Sequence, residues 1–280
     1  MIDPKTIKWE ELGFGYIECA YRYVSKFKDG KWDDGALVTD SNIVLNECAC
    51  VFQYSQSCFE GLKAYYTKNG DIVCFRPDMN AERMYDSALR LEMPPFPKDK
   101  FVEACEKVIA ANKDFVPPYG TGASLYLRPF MFGSNPVIGV KPADEYEFRI
   151  LVTPVGPYFK GGANFIFITK DGTLVTPKSD SILPSITRRS ICYVAEKYLG
   201  MKVEHREVFF DEVKDFAECG LCGTAAVVSP VGKIYDHGKE ICFPSGMEEM
   251  GPWTKKIYDT LTGIQRCEIE APEGWIKVIK

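Results

Sequence analysis

One stretch of this sequence constrains the fold more than any other, because residues 183–189 read as a turn that leads directly into a helix. Pro184 fixes the approach, and Ser185 and Thr187 are both plausible N-caps. Apolar residues then recur at helical spacing, and Gly200 ends the pattern. The apolar residues are Ile191, Val194, Ala195, Tyr198 and Leu199. A helix N-terminus with free N–H groups, hydroxyls and two arginines suits a phosphate or a carboxylate. An ordinary capped surface helix is the simpler interpretation of the same pattern.

Composition limits the classes of protein to which the chain can belong. With 280 residues, 46% of them hydrophobic and 26% charged, it can form one large or two moderate domains. A net charge of -5, without a run of more than two basic residues, argues against a dedicated nucleic-acid partner. The polar first eleven residues and the lack of a segment long enough to span a bilayer predict no membrane association. The chain is therefore expected to be cytoplasmic and to bind small molecules.

The eleven cysteines are an odd number and are scattered, and no secretory signal accompanies them. Reduced thiols are therefore expected. Cys219 and Cys222 form the one C-x-x-C motif, and Cys242 and His237 are the nearest further candidate ligands. A zinc site would need a second pair at a suitable spacing, so packing is the favoured role and no metal site is predicted.

Periodicity predicts a mixture of strands and helices. Hairpins are expected at residues 28–31 and at Asn69-Gly70, the latter as a type I′ turn. A helix from Pro77 should bury Ala81, Met84, Tyr85, Ala88 and Leu89, and a second over 98–112 should bury Phe101, Cys105, Val108 and Ile109. Further predicted strands are 124–132, 147–155, 165–168, 174–175, 203–210 and 225–228, with helices near 211–218 and 252–261. Strands and helices do not alternate regularly, which favours an α+β fold over a doubly wound one.

The catalytic options are few. The chain has two histidines, His205 and His237, and it lacks G-x-S-x-G, Walker, G-x-G-x-x-G and H-E-x-x-H motifs. Serine hydrolases, NTPases, dinucleotide enzymes and zincins are thus disfavoured. An anion site combined with glycine-threonine turns suits a cofactor that carries a phosphate.

Six blocks, in order along the chain, closely resemble the branched-chain amino acid aminotransferases, which are fold-type IV enzymes dependent on pyridoxal 5′-phosphate. The blocks are residues 54–65, 75–84, 124–129, 154–159, 183–188 and 223–226. The resemblance implies a small N-terminal α/β domain (1–157), a larger C-terminal cofactor-binding domain (158–280), the cofactor between them, and a homodimer. It also implies transfer of the amino group of leucine, isoleucine or valine to pyridoxal phosphate and then to 2-oxoglutarate.

The same resemblance assigns residues to roles. The cofactor-binding residues that it implies are Arg83, Ile186, Thr187 and Thr224, with Arg83 on the phosphate. The substrate-binding residues that it implies are Tyr54, Phe59, Tyr126, Arg128 and Ala225. A phosphate dianion held by a helix N-terminus and a guanidinium gains charge-assisted hydrogen bonds, which is consistent with this assignment. From its position on the predicted helix alone, Arg83 lies off the apolar stripe and is expected to be solvated.

The chain departs from the family at one place. Relatives carry several tens of residues between the block that ends at Gly162 and the strand that begins at Asn164, and that span holds the lysine that forms the Schiff base. By register with Asn164, the glutamate that pairs with the pyridinium nitrogen falls on Phe159. The lysines nearby in sequence lack the context of the family's lysine: Lys160, Lys170 and Lys178. No catalytic residue is therefore assigned.

The departure leaves three functions open. The chain is expected to be a branched-chain aminotransferase by family, with turnover reduced by many orders of magnitude if the lysine and the glutamate are both lost. It could instead be an inactive relative that retains the cofactor, or a non-enzymatic fragment that pairs with a full-length subunit. Removing strands from the larger domain, shortened near 160–164, is also expected to leave unpaired sheet edges.

Overall fold

The computed structural model describes residues 2–157, 164–245 and 249–280. The strands are β1 (Arg22–Lys28), β2 (Lys31–Trp32), β3 (Ala36–Val38), β4 (Ser57–Phe59), β5 (Leu62–Tyr66), β6 (Ile72–Phe75), β7 (Ser124–Gly133), β8 (Tyr146–Val155), β9 (Asn164–Ile168), β10 (Leu174–Pro177), β11 (Val203–Arg206), β12 (Glu218–Gly223), β13 (Val227–Pro230), β14 (Lys233–Asp236), β15 (Lys239–Cys242) and β16 (Ile276–Ile279). The α-helices are α1 (Cys50–Tyr54), α2 (Pro77–Arg90), α3 (Lys98–Ala111), α4 (Ile186–Lys197) and α5 (Pro252–Gln265). Short 3₁₀ helices cover Pro4–Thr6, Trp9–Glu11, Lys113–Phe115 and Phe210–Asp215.

The chain divides into two compact units. Unit 1 comprises Met1–Gly156 together with Pro272–Lys280, and unit 2 comprises Pro157–Ala271. The two predicted domains meet after residue 157, and the C-terminal one includes residues 272–280. The structure instead pairs β16 with β6, so the last residues of the chain lie in unit 1.

Unit 1 is a nine-stranded antiparallel sheet with helices α2 and α3 packed on one face. The strand order is β16-β6-β5-β7-β8-β1-β2, with β3 added to β1 and β4 added to β7. Alternate residues of the central strands face the helices, and Leu125, Leu127, Phe148 and Ile150 are fully buried there. The rings of Phe96 and Phe148 stack at a centroid separation of 3.9 Å. The intervening residues of the central strands, Arg128 among them, face the other side of the sheet.

Two local predictions for unit 1 are wrong. Gly70 has a φ of 87°, whereas Asn69 keeps a negative φ, and the Gly70 N–H donates to the Thr67 carbonyl at 3.1 Å. The hairpin therefore turns with one left-handed residue, whereas a type I′ turn needs two. On α2, which ends at Arg90, Leu89 is 54% exposed, whereas Ala88 in the same last turn is fully buried.

Unit 2 contains a five-stranded sheet in the order β11-β10-β9-β12-β13, and β14 pairs separately with β15. Strand β9, the first one after residue 163, lies in the centre of the sheet with β10 and β12 on its two sides. The unpaired edges expected from the shortened sequence therefore do not fall on β9. The segment predicted as a helix over 211–218 is a 3₁₀ helix followed by β12, because Glu218 pairs in register with Ile168.

The N-terminus of α5 is capped by a buried carboxylate. Glu218 is 3% exposed, and its two oxygens accept hydrogen bonds from the backbone N–H groups of Trp253 (3.0 Å) and Thr254 (2.8 Å). A negative charge at this end of a helix also interacts favourably with the helix dipole. Gly251 leaves the space that the carboxylate needs, because a Cβ there would lie 2.2 Å from the Glu218 Cδ.

We expect Glu218→Ala to lower the free energy of unfolding of unit 2 by about 1–3 kcal/mol, because two helix N–H groups lose their acceptor inside the protein. Glu196→Ala is the control, since Glu196 is exposed beside Lys197 and should change stability by less than about 0.5 kcal/mol. Hydrogen–deuterium exchange of α5 peptides measures the difference. Equal protection of α5 in the two variants would contradict the capping role.

In the described residues no helix is long and apolar enough to cross a membrane.

Candidate active site

Arg83 projects from α2 toward a buried carboxylate of the same unit. Its Nε donates to Glu60 Oε1 and its Nη2 donates to Glu60 Oε2, both at 2.7 Å. The Asn80 amide donates to Glu60 Oε2 as well, at 2.7 Å. The side chains of Arg83 and Glu60 are 14% and 3% exposed. The prediction of a solvated arginine is therefore wrong: Arg83 is largely buried, and a bidentate ion pair fixes its guanidinium.

The predicted substrate residues of unit 1 form an aromatic and cationic cluster. The Nε of Arg128 donates to the Tyr126 hydroxyl at 3.0 Å, and its guanidinium lies 4.5 Å from the centre of the Phe59 ring. Phe14 contacts the edge of Tyr126 at a centroid distance of 5.2 Å. Among the salt bridges of the described residues, none involves Arg128. Its positive charge is held by aromatic faces and a hydroxyl, which suits the binding of an anion.

A cavity of about 560 Å³ opens beside this cluster. Its lining is Ile43, Leu45, Val51, Phe52, Ser57, Cys58, Phe59, Arg128, Phe130, Phe132 and Leu151. Two of the predicted substrate residues, Phe59 and Arg128, thus line it, and Tyr126 contacts Arg128. Tyr54 does not line it, and its hydroxyl donates to the Ile138 carbonyl. An apolar cavity with one cationic group can take a small aliphatic carboxylate.

Sequence reasoning missed most of the apolar lining. Phe130 and Phe132 alternate with buried residues along β7, so they share a sheet face with Arg128. Strand pairing then brings Phe59 opposite Phe130 and Leu151 opposite Arg128. The period of two along β7 was the available signal, whereas Ile43 and Leu45 come from an irregular segment that has no such signal.

The N-terminus of α4 in unit 2 is capped by one of the two candidates from the sequence, and the other, Thr187, lies in the first turn of the helix. Ser185 is the N-cap, and its hydroxyl accepts from the Arg188 N–H at 3.1 Å. The backbone N–H groups of Ile186 and Thr187 donate no hydrogen bond to any described residue. Both residues are buried, at 6% and 7% exposure. Two N–H groups and the Thr187 hydroxyl therefore remain available to an anion.

The side chain of Arg188, unlike its backbone N–H, bonds groups of β10. Its Nη1 donates to the Pro177 carbonyl at 2.7 Å and lies 3.4 Å from the Thr176 hydroxyl, which attaches the helix to β10. Of the two arginines in the opening stretch, Arg188 is thus a packing residue in unit 2.

Thr224 and Ala225 lie in the tight hairpin between β12 and β13. Gly223 pairs with Val227 across the hairpin, and Val227 has a φ of 59°. A β-branched residue rarely adopts this left-handed conformation, so the turn holds backbone strain. Strained turns often occur in binding sites, and this one carries two of the predicted site residues, Thr224 and Ala225.

Asn164 begins β9 directly after residue 163. It is 3% exposed, and within the described residues neither its amide nitrogen nor its amide oxygen has a hydrogen-bond partner. Burying an amide without hydrogen-bond partners costs free energy. The Asn164 side chain thus keeps a donor and an acceptor to which no described residue bonds. Phe159, the position at which the resemblance places a glutamate, and Lys160 lie outside the described residues.

Cys219 and Cys222 are unsuited to redox chemistry. They lie three residues apart in β12, so they face opposite sides of the sheet, with Cα atoms about 10 Å apart, which is beyond the reach of a disulfide. Burial raises the pKa of each thiol to about 12, which keeps it protonated and unreactive. Cys219 packs against Phe167 and Phe216.

Residues 161–234 match the family model described as amino-transferase class IV. Along nearly the whole chain, the sequence is 42% identical to a branched-chain-amino-acid aminotransferase of Haemophilus influenzae, covering 97% of this chain and 98% of that protein. A branched-chain-amino-acid aminotransferase of Helicobacter pylori is 38% identical, over 99% of both chains. The chain belongs to the family of branched-chain-amino-acid aminotransferases.

A solved structure of the branched-chain amino acid aminotransferase of Escherichia coli has the same fold. It superposes with a TM-score of 0.76 at 23% identity and covers 94% of this chain and 100% of that one. The branched-chain amino acid aminotransferase of Thermobaculum terrenum, solved in its PLP (holo) form, superposes with a TM-score of 0.74 at 18% identity, over 94% of this chain and 99% of that one. The predicted α+β fold of fold-type IV is confirmed.

The alignment lengths show that this chain is shorter than its relatives inside the matched region. The Haemophilus influenzae alignment extends over 339 residues, whereas this chain has 280, so at least 59 aligned positions have no residue of this chain. Because 97% of the chain is covered, those positions do not lie beyond its ends.

Proposed function

We propose that this chain functions in the transamination of branched-chain amino acids, in which the amino group of leucine, isoleucine or valine passes to 2-oxoglutarate with pyridoxal 5′-phosphate as cofactor. The identity of 42% along almost the full length of both chains carries the proposal, since the relative is named for that activity. The bound cofactor would supply an electron-withdrawing ring, and this chain would supply the groups that hold it and the substrate.

The phosphate end of the cofactor fits the residues present. In unit 2, the N–H groups of Ile186 and Thr187 and the hydroxyls of Thr187 and Thr224 would donate to it. In unit 1, Arg83 would add a positive charge whose orientation Glu60 fixes through Nε and Nη2. The ion pair therefore holds the guanidinium in one orientation before any phosphate arrives.

The substrate end fits as well. The cavity beside Phe59 gives an aliphatic side chain an apolar surround, and Arg128 gives a carboxylate a cationic partner. Tyr126 holds Arg128 through its hydroxyl. Tyr54 and the Ala225 turn remain proposed substrate contacts.

In unit 2, no lysine of the described ranges 164–245 and 249–271 is enclosed. Each lysine that the structure describes there is exposed to solvent, and Lys170 and Lys178 are among them. A relative that binds the cofactor but does not turn over is the second candidate function, and the relatives, which are named as aminotransferases, favour the enzyme. A non-enzymatic fragment is less favoured, because the relatives align along almost their whole length.

Three further features are proposed on the same basis. The chain forms a homodimer, it works in the cytoplasm, and the shortening of its second domain lies near residues 160–164. The class IV match begins at residue 161, which supports that position for the shortening.

Thr187→Val tests the proposed cofactor site. Removing one hydroxyl that bonds a phosphate should weaken pyridoxal phosphate binding about 10- to 100-fold, the equivalent of one hydrogen bond to a charged group. Thr260→Val is the matched control, because the Thr260 hydroxyl only bonds its own helix at the Lys256 carbonyl. Titration of the cofactor absorbance gives both affinities, and glutamate formation from leucine and 2-oxoglutarate gives the activity.

The outcomes separate the candidate functions. Cofactor binding that is sensitive to Thr187, together with glutamate formation, supports the enzyme. Binding with the same sensitivity but without glutamate formation supports the inactive relative. Equal affinities of the Thr187 and Thr260 variants would remove α4 from the proposed cofactor site.

A further inference from the structure

The cavity beside Arg128 has one charged group among the described residues that line it, and that group is the Arg128 guanidinium. The other lining residues are apolar, apart from Ser57 and the weakly polar Cys58 thiol. Within the described part of the chain, the guanidinium has one hydrogen-bond partner, the Tyr126 hydroxyl, and it reaches that partner through Nε. Its two Nη groups are therefore available to a carboxylate inside the cavity.

Three residues of β7 show in which direction the cavity extends from this cation. Arg128, Phe130 and Phe132 alternate along the strand and all line the cavity, so they share one face of the sheet. At about 3.4 Å per residue, Phe130 lies about 7 Å and Phe132 about 13 Å along the strand from Arg128. The rings of the two phenylalanines stack at a centroid separation of 5.9 Å. A continuous apolar surface thus leads away from the guanidinium.

Strand β4 broadens this surface and defines its far end. Phe59 pairs in register with Phe130, and Ser57 pairs with Phe132, so each pair faces the same side of the sheet. The small side chain of Ser57 leaves space at the end that is most distant from Arg128. Phe59 is 64% exposed and leaves apolar surface in contact with water at the cavity, which an apolar ligand would cover.

A branched-chain substrate fills only the part of the cavity next to Arg128. The methyl carbons of leucine lie four bonds from its carboxyl carbon, about 5 Å away in an extended chain. Such a side chain reaches Phe130 and leaves the end between Phe132 and Ser57 empty. A straight chain of eight carbons extends about 9 Å, and the hydrogen bond from its carboxylate to the guanidinium adds about 3 Å. An acid of this length therefore spans the cavity from Arg128 to Phe132.

We propose that this cavity binds straight-chain aliphatic carboxylates of about eight carbons, with the carboxylate on the Nη groups of Arg128 and the chain along β7 toward Phe132. The proposal rests on the proposed substrate end of the site and extends it to acids that are longer than the branched-chain substrates. Because these acids use the same cation, they compete with the substrate for Arg128.

The test measures the binding of unbranched carboxylates, from butanoate to dodecanoate, to the full chain by ligand-observed NMR titration. We expect the affinity to rise about fourfold with each added methylene up to about eight carbons, because each methylene that enters the cavity leaves water. Longer acids should bind no more tightly, since their last carbons extend beyond Phe132. This measurement requires neither the cofactor nor turnover.

Two variants test the two ends of the cavity. Ser57→Phe fills the far end, so it should weaken octanoate binding about 10- to 50-fold and leave butanoate binding within about twofold. Ser57→Ala is the matched control, because it removes the hydroxyl without filling the space, and octanoate affinity should stay within about twofold. Arg128→Gln removes the cation and should weaken every chain length about 10- to 100-fold.

Three results would overturn the proposal. Equal affinities for butanoate and octanoate would show that the carbon chain gains nothing from the apolar surface. An affinity that keeps rising to dodecanoate and is unchanged in Ser57→Phe would show nonspecific association with exposed apolar side chains. An octanoate affinity that falls as the protein concentration rises would show that a second copy of the chain covers the cavity instead.

The assay of glutamate formation separates this proposal from the proposed function. A chain that forms glutamate from leucine and 2-oxoglutarate but does not bind octanoate would overturn the carboxylate proposal alone. A chain that shows the expected dependence on chain length but forms no glutamate would support the carboxylate site and count against the enzyme.

Discussion

Glu60→Ala is expected to lower the free energy of unfolding of unit 1 by about 3–5 kcal/mol, the usual cost of removing one partner of a buried ion pair. The two oxygens of Glu60 accept three hydrogen bonds, two from Arg83 and one from Asn80. Without them the guanidinium of Arg83, 14% exposed, keeps its charge in a site that water barely reaches. Most of the stability lost in Glu60→Ala thus comes from the Arg83 guanidinium, which stays charged inside the protein.

The control for this prediction is Glu82→Ala on α2, next to Arg83 in sequence. Glu82 is half exposed and lies 3.9 Å from Lys98, so its removal should cost less than about 0.5 kcal/mol. Hydrogen–deuterium exchange measures the protection of β5 and β7 peptides in each variant, with peptides of unit 2 as the internal reference. A loss of protection confined to unit 2, or equal effects of the two variants, would show that the pair does not stabilise unit 1.

The ion pair between Glu60 and Arg83 also affects the choice of variants for testing cofactor binding. Arg83→Ala removes a proposed phosphate ligand and at the same time leaves Glu60 as a buried anion without its guanidinium, so weaker binding in that variant would have two causes. Glu60→Gln keeps the Arg83 cation, and its amide oxygen can still accept one of the two guanidinium hydrogen bonds. If Arg83 binds the phosphate, this variant should retain cofactor affinity even where its stability falls.

The regular elements of this fold could be predicted from sequence because their patterns are long. Helix α3 has four apolar residues on one stripe, and Phe101, Cys105, Val108 and Ile109 are all buried as expected. Strands β7 and β8 begin and end within one residue of the predicted ranges. Apolar periodicity fails to predict burial at helix ends, as at Leu89. It shows on which side of the helix a residue lies, but it does not show how far along the helix the packed surface extends.

The candidate site could be predicted only in part, because its geometry depends on contacts between residues that are far apart in the sequence. The cap at Ser185 is local, and its hydrogen bond joins residues three apart, so the sequence narrowed the cap to two candidates, of which Ser185 is one. The Glu60–Arg83 pair joins residues 23 apart through the packing of a helix on a sheet. The spacing of these two residues does not show whether Arg83 contacts Glu60 or water. For this reason the prediction that Arg83 is solvated was wrong.

Trp275→Ala is expected to cost unit 1 about 3–5 kcal/mol, the range for removing a buried tryptophan side chain. Trp275 is 8% exposed, its ring meets Phe75 edge to face at 5.6 Å, and the Arg76 guanidinium lies 4.3 Å from its centre. Its carbonyl accepts from the Arg76 N–H at 2.8 Å, just before α2 begins. The tryptophan therefore attaches the C-terminal residues to the strand and helix start that precede Arg83.

Val278→Ala in β16 is the matched control, because Val278 is 48% exposed and should cost less than about 0.5 kcal/mol. Exchange of β6 and α2 peptides is expected to rise in the tryptophan variant and to stay unchanged in the valine variant. If residues 272–280 instead stabilised unit 2, the added exchange would appear in α5, and the pairing of β16 with β6 would then contribute little to the stability of unit 1. If Arg83 binds the phosphate as proposed, loosening of α2 in the Trp275 variant should also weaken cofactor binding, while the N-terminus of α4 stays protected.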